Sequence, residues 1–211
     1  SERRQHGNMT MINNRPCPHC NGSGKTFSDP CPHCNGEGMK NVTNTIKVMI
    51  LNIDTSTNVC SVALTDGNEV LAHKEIDGTQ EHASKLTSLI EIMFQEQNKE
   101  MSALKAVAVS SGPGSYTGLR IGVSTAKGIC YALSLPLISI PTLDIIAQGL
   151  FMTCPEAQYA VPMIDARRME VYTAFYHANT LERLNEIESK IIDNTAFEEH
   201  LGNHEIYLFG N

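Results

Sequence analysis

The stretch Ser110–Leu135, SSGPGSYTGLRIGVSTAKGICYALSL, constrains the fold more than any other part of the chain. An apolar, strand-like run from Leu104 to Val109 enters it, and a long helical pattern leaves it. Between them Gly112, Pro113 and Gly114 can neither continue a strand nor open a helix comfortably. The backbone must turn there, and Ser115 or Thr117 can cap the helix that follows. Strand, glycine loop and helix in this order are the working unit of an α/β fold. The helix start offers unpaired N–H groups and partial positive charge, so the loop is either an anion site or a structural corner. It is not a Walker loop, because no Gly-Lys-Ser/Thr ends it, and it does not meet the dinucleotide pattern GxGxxG. The helix places Gly118, Gly122 and Ala126 four residues apart, beside Ile121, Ile129 and Leu133. Such a stripe admits a second helix at close range, or it packs inside its own domain; spacing leaves both open.

With 211 residues the chain suffices for one large domain or two small ones, at roughly 150 residues per domain. No apolar run approaches the roughly 20 residues of a membrane span, so no membrane partner is expected. The net charge of −7 hides a split. Residues 1–40 carry five Lys/Arg against three Asp/Glu, and the remainder carries eleven against twenty. A body this acidic is a poor primary surface for nucleic acid, which needs a basic patch. Four of the seven cysteines fall within the first 34 residues, while Cys60, Cys130 and Cys154 stand alone in apolar surroundings. That usage fits a reducing, cytoplasmic setting.

The clustered cysteines form an internal repeat, CPHCNGSG at 17 and CPHCNGEG at 31, so that Cys17, Cys20, Cys31 and Cys34 read C-x2-C-x10-C-x2-C. Each C-x-x-C turn sets two thiolates on one side of a tight knuckle, and two knuckles complete a tetrahedral sulfur site suited to structural zinc. The following glycines let the chain curl so that N–H groups can face the sulfurs. Disulfides or a redox pair are the competing readings. His19 and His33 are spare candidates beside four sufficient ligands. The repeat resembles the cysteine-rich knuckles of the DnaJ chaperone family, which implies a zinc hairpin and no chaperone activity. The expected organisation is a tail at 1–15, the zinc-binding repeat at 16–38, a polar linker at 39–47, and two strand-led units at 48–152 and 153–211.

From Val48 the pattern gives three strands, VMILNID, VCSVALTD and EVLAHKEI, the last two parted by the turn Asp66-Gly67-Asn68. The segment Thr79–Lys99 is helical, with Leu86, Leu89, Ile90, Met93 and Phe94 on one face. After the glycine loop and its helix come a short strand PLISI and a helix Thr142–Met152, so the first unit reads βββαβαβα. The second restarts with YAVPMIDA and MEVYTAFYH, then a polar stretch, a short helix Ala196–Leu201 and a strand EIYLFG.

The order βββαβαβα, with the acidic-hydroxyl turn Asp54-Thr55-Ser56 after the first strand, resembles the actin-like ATPase and sugar kinase superfamily. More closely, ILNIDTSTNVCSVAL together with SSGPGSYTGLRIGVSTAKGICYALSLPLISIPTLD resembles the TsaB (YeaZ) family over residues 49–211. The resemblance implies an α/β fold of two ribonuclease H-like (actin-like) units, the second incomplete, preceded here by the zinc hairpin. It implies no catalytic residue in this chain. The implied role is a dimerisation and scaffold subunit for the transferase TsaD, which with the ATPase TsaE makes threonylcarbamoyladenosine in tRNA. A homodimer is expected when TsaD is absent, and tRNA is reached only through the complex. TsaD carries a His-x-x-x-His metal pair where this chain has Thr142 and Ile146. A possible anion or nucleotide loop comprises Asp54, Thr55, Ser56, Gly112, Gly114, Ser115, Thr117 and Arg120. The family's dimer packs these two helices on their counterparts, which assigns Leu89, Ile90, Met93, Gly118, Gly122 and Ala126 to a partner interface. Competing readings are an ATP-dependent transferase or ATPase of the same superfamily, a metalloprotease (glycopeptidase), and a hairpin acting as an RNA or protein adaptor.

Overall fold

The computed structural model describes residues 9–26, 29–46, 48–78, 82–178, 180, 182–193, 196–197 and 206–210. The chain forms two compact units, Ser1–Val48 with Asp66–Glu69, and Met49–Thr65 with Val70–Asn211.

In the first unit β1 (Met9–Pro16), β2 (Lys25–Thr26), β3 (Asp29–Pro30) and β4 (Met39–Ile46) follow in order. β1 pairs antiparallel with β4 from Met9 opposite Ile46 to Pro16 opposite Met39, and β2 pairs with β3. Residues 9–15 and 39–46, expected as tail and linker, are therefore the two strands of one ribbon. The β-branched Val42, Thr43, Thr45 and Ile46 favour extended backbone. Residues 1–8 and 47 lie outside the described residues.

The second unit contains two sheets. The first combines β5 (Met49–Asp54), β6 (Val59–Asp66), β7 (Glu69–Asp77), β8 (Ala106–Ser110) and β9 (Leu137–Ile140) in the order β7-β6-β5-β8-β9. β8 runs parallel to β5, and β9 parallel to β8. Every residue of β8 is buried, as a central parallel strand covered on both faces requires, whereas β6 buries alternate residues Cys60, Val62 and Leu64. Helices α1 (His82–Glu96) and α2 (Tyr116–Leu133) pack with this sheet around Leu51, Ile53, Leu86, Met93 and Val107. The first helix was expected from Thr79; residues 79–81 lie outside the described residues.

Helix α3 (Thr142–Thr153) packs on the second sheet, built from β10 (Tyr159–Arg167), β11 (Glu170–Thr173), β12 (Tyr176–His177), β13 (Glu182–Arg183), β14 (Glu188–Ile191) and β15 (Ile206–Gly210). β10 is its axis, parallel to β15 and antiparallel to β11 and β12. The run MEVYTAFYH, expected as one strand, breaks at Ala174-Phe175, where the Phe175 N–H donates to Asn185 Oδ1 at 2.7 Å. The polar stretch that follows carries β13 and β14. Of the expected helix Ala196–Leu201, Ala196 and Phe197 form a turn and residues 198–201 lie outside the described residues.

Candidate functional site

The repeat folds as two matching knuckles. The Cys17 N–H donates to the Gly38 carbonyl at 2.9 Å, and in the other copy the Cys31 N–H donates to the Gly24 carbonyl at 2.8 Å. Gly24 and Gly38 have φ of +74° and +73°, and a Cβ on either would stand 2.3 Å from the carbonyl oxygen of Gly36 or Gly22 respectively. Only glycine serves at these two crossings. The crossing brings the Sγ atoms of Cys17, Cys20, Cys31 and Cys34 within 4.8 Å of one another, with all four residues buried. A tetrahedral ion with metal–sulfur bonds of about 2.3 Å has sulfur–sulfur edges of about 3.8 Å. Cys20 Sγ and Cys34 Sγ stand 3.8 Å apart. The four thiols can thus hold a metal ion, in a closed set with no open position.

The knuckles move two of the thiols in opposite directions. At Cys20 burial opposes ionisation, but the N–H groups of Gly24 and Gly22 and the thiols of Cys34 and Cys17 outweigh it, bringing the pKa down to about 7. At Cys34 burial, together with sharing a proton with Cys20 and Cys31, pushes it up to about 11. The Gly38 N–H donates to Cys34 Sγ at 3.3 Å, the backbone-to-sulfur contact that stabilises metal thiolates.

The glycine loop lies against the β5–β6 turn. Asp54 Oδ1 accepts from the Ser56 N–H at 2.9 Å and from the Ser110 hydroxyl at 2.8 Å. The Ser115 N–H donates to the Ser56 carbonyl at 2.6 Å, and Ser115 Oγ caps α2 by accepting from the Gly118 N–H at 3.3 Å. Gly114 has φ of +154°, and a Cβ there would stand 2.3 Å from Ser56 O. On the loop's other side the Gly112 carbonyl accepts from the Thr142 N–H at 2.8 Å. The side-chain oxygens of Ser56 and Thr142 are buried without a hydrogen-bond partner. Asp54, Thr55, Ser56, Gly112, Gly114 and Ser115 therefore meet at one corner. Thr117 is exposed in the first turn of α2, and Arg120 turns along its own helix, its guanidinium 5.4 Å from the Tyr116 ring centre. Asp54, Ser56, Ser110 and Ser115 bond one another through side chain and backbone, while the hydroxyls of Ser56 and Thr142 stay buried and unpaired beside them.

The assignment of Gly118, Gly122 and Ala126 to a partner interface is corrected by this geometry. A Cβ on Gly118 would stand 2.1 Å from Thr55 O, and one on Gly122 would stand 2.3 Å from Thr55 Oγ1. The stripe is the groove into which Thr55 fits, and Ala126 belongs to the core. Leu89, Ile90 and Met93 are likewise buried in that core. Of the six, only Ile90 also reaches an open groove of about 520 Å³ between α1 and α2, whose walls include Thr87, Phe94, Thr125, Gly128 and Ile129. Hydrophobic spacing did not single out this groove, because Thr87, Thr125 and Gly128 carry no apolar signal.

The family model described as TsaD, tRNA N6-adenosine threonylcarbamoyltransferase, matches residues 69–206. The chain is 38% identical over 127 residues to the tRNA threonylcarbamoyladenosine biosynthesis protein TsaB of Escherichia coli, covering 60% of this chain and 54% of the relative. It is 30% identical over 154 residues to the TsaB protein of Buchnera aphidicola subsp. Schizaphis graminum, covering 68% of this chain and 72% of the relative. Among solved structures, YeaZ from Pseudomonas aeruginosa is similar with a TM-score of 0.62 and 30% identity, over 68% of this chain and 67% of that one. The chain spans about half the length of the E. coli relative. The four cysteines lie outside the residues that the family model matches.

Proposed function

The chain belongs to the TsaB family of tRNA threonylcarbamoyladenosine biosynthesis proteins, and on that premise we propose that it is a non-catalytic subunit supporting a TsaD-type transferase. The observation that carries the non-catalytic reading is the engagement of Asp54 and Thr55 by the fold. The Asp54 carboxylate is engaged by Ser56 and Ser110, and the Thr55 hydroxyl donates to the Gly118 carbonyl at 2.7 Å. Groups that would orient a phosphate or a magnesium-bound water are thus held by the fold itself. A transferase also needs a metal or a basic clamp where charge develops. Thr142 and Ile146 stand where the resemblance puts the metal-binding histidines of TsaD, and Arg120 points along its own helix.

The proposed partner seat is the groove between α1 and α2, where Thr125, Gly128 and Ile129 face Ile90 and Phe94. A helix pair of the TsaD-type subunit, or of a second copy in its absence, covers this apolar surface. TsaE joins the assembly, and tRNA is reached through the complex, in the cytoplasm. No helix among the described residues is long and apolar enough to cross a membrane. The ion proposed for the cysteine site is zinc in a structural role, since a closed set of four thiolates offers no position to a substrate.

The test is reconstitution of tRNA threonylcarbamoylation with TsaD, TsaE and the carbamoyl-adenylate synthase, with and without this chain. Modification that depends on the chain, while the chain alone consumes no ATP, is the expected result. Equal modification without it overturns the reading.

A further inference from the structure

The two knuckles expose one imidazole each. His19 and His33 occupy the same position of the repeated C-x-x-C, and both are exposed. The matching folds bring their ring centres to 4.3 Å, with the planes tilted by 43°. Neutral imidazole is the commonest metal ligand among side chains. Two imidazoles bound to one ion at about 2.1 Å and at a right angle put their ring centres roughly 4.5 Å apart, while tetrahedral coordination spreads them to roughly 5 Å. The observed spacing is that of the right-angled pair once each ring turns one nitrogen toward a shared ion.

We propose that His19 and His33 form a second metal site on the hairpin, distinct from the four-cysteine centre, which takes a divalent ion of tetragonal or octahedral preference such as nickel. Its remaining positions are open to water or to a donor from a bound molecule. The ligand types separate the two sites. Thiolates in a tetrahedron select zinc, whereas a right-angled imidazole pair suits nickel or copper(II). The repeat creates both centres, since the rotation that brings the sulfurs inward also brings the third residues of the two knuckles together outside.

The experiment uses the full chain with its cysteine site loaded with zinc, and nickel alone as probe. Elemental analysis reads bound nickel and zinc per chain, and imidazole NMR resonances report which histidines the paramagnetic ion approaches. One nickel per chain with zinc retained, broadening His19 and His33 before the other histidines, is expected. His19→Ala and His33→Ala should each lower nickel affinity at least tenfold while leaving zinc content unchanged. Nickel binding as tight as wild type in either variant overturns the proposal. So does displacement of zinc, or early broadening at other histidines alone; the last is read on the unmodified chain and needs no variant.

Discussion

Thr55 and Gly118 are locked together, the Thr55 hydroxyl donating to the Gly118 carbonyl oxygen at 2.7 Å while the glycine leaves room for the Thr55 backbone. This contact fixes α2 to the end of β5, and it explains why the small residues of α2 sit where they do. Gly122→Ala should therefore destabilise the protein by about 1–3 kcal/mol, because its methyl would enter the space of Thr55 Oγ1. Thermal unfolding checks this, and an unchanged midpoint would contradict the inward assignment of the stripe.

Gly128 lies on the same helix with nothing within 4 Å of a Cβ built on it. Replacing it by Ala should raise stability by about 0.5–1 kcal/mol, the usual gain for removing an exposed helical glycine. The methyl would also intrude on the proposed partner seat. A binding titration with a TsaD-type subunit should show weaker association for Gly128→Gln than for Gly128→Ala, each variant folding normally.

These two glycines show what the sequence could and could not convey. Period 3.6 identified Gly118, Gly122 and Ala126 as sharing a face, but it carries no information on whether that face meets a partner or the chain's own Thr55. The cysteine centre was legible because ligand spacing is local and nearly sufficient on its own. The pairing of β1 with β4 was not, because a polar ribbon has no apolar alternation to betray it. β13 and β14 escaped for a related reason: strands of two to four residues at a sheet edge fall below any periodic signal. Arg120, grouped with the possible anion loop, lies along its own helix because the Tyr116 ring one turn away offers the guanidinium a surface, a contact that spacing alone does not reveal.

Removing the proposed zinc should undo the hairpin selectively. Cys17→Ser, or a strong chelator, is expected to abolish one equivalent of zinc and to collapse the amide dispersion of residues 16–38. The amides of β5 and β8 should keep their hydrogen-exchange protection. Loss of protection throughout the chain would show that the hairpin is needed by the larger fold.

Tyr176 donates to Asp144 Oδ1 at 2.6 Å and joins α3 to the second sheet. Burial, then the bond and charge of Asp144, hold the phenol well above its ordinary range; burial and the Asp54 charge likewise raise the Cys60 thiol. Both groups are buried neutral. Their stabilising contribution is complete below the ordinary values of 9.0 and 10.0, and it is lost as pH rises through the raised folded values. Denaturant unfolding should show declining stability on the alkaline side. Tyr176→Phe should cost about 1–2 kcal/mol near neutrality and flatten that decline. A decline of equal slope in Tyr176→Phe would assign it to other groups.

With zinc in place, the fast-reacting thiol should be Cys154. It is half-exposed, whereas Cys60 and Cys130 are buried with raised pKa values. Titration with a thiol reagent near pH 8 should give one rapid equivalent that Cys154→Ser removes. Two or more rapid equivalents in that variant would contradict the burial of the others.

The hairpin's mirrored bonds, Cys17 to Gly38 and Cys31 to Gly24, make its two knuckles interchangeable by a half-turn. Neither copy is complete alone: each lends two sulfurs, and each carbonyl serves the other's cysteine. The motif is in effect a dimer written twice into one chain. A molecule bearing a single knuckle would find its complement on a second molecule, at a cost set by concentration. Tandem duplication removes that dependence and turns an assembly problem into a folding one.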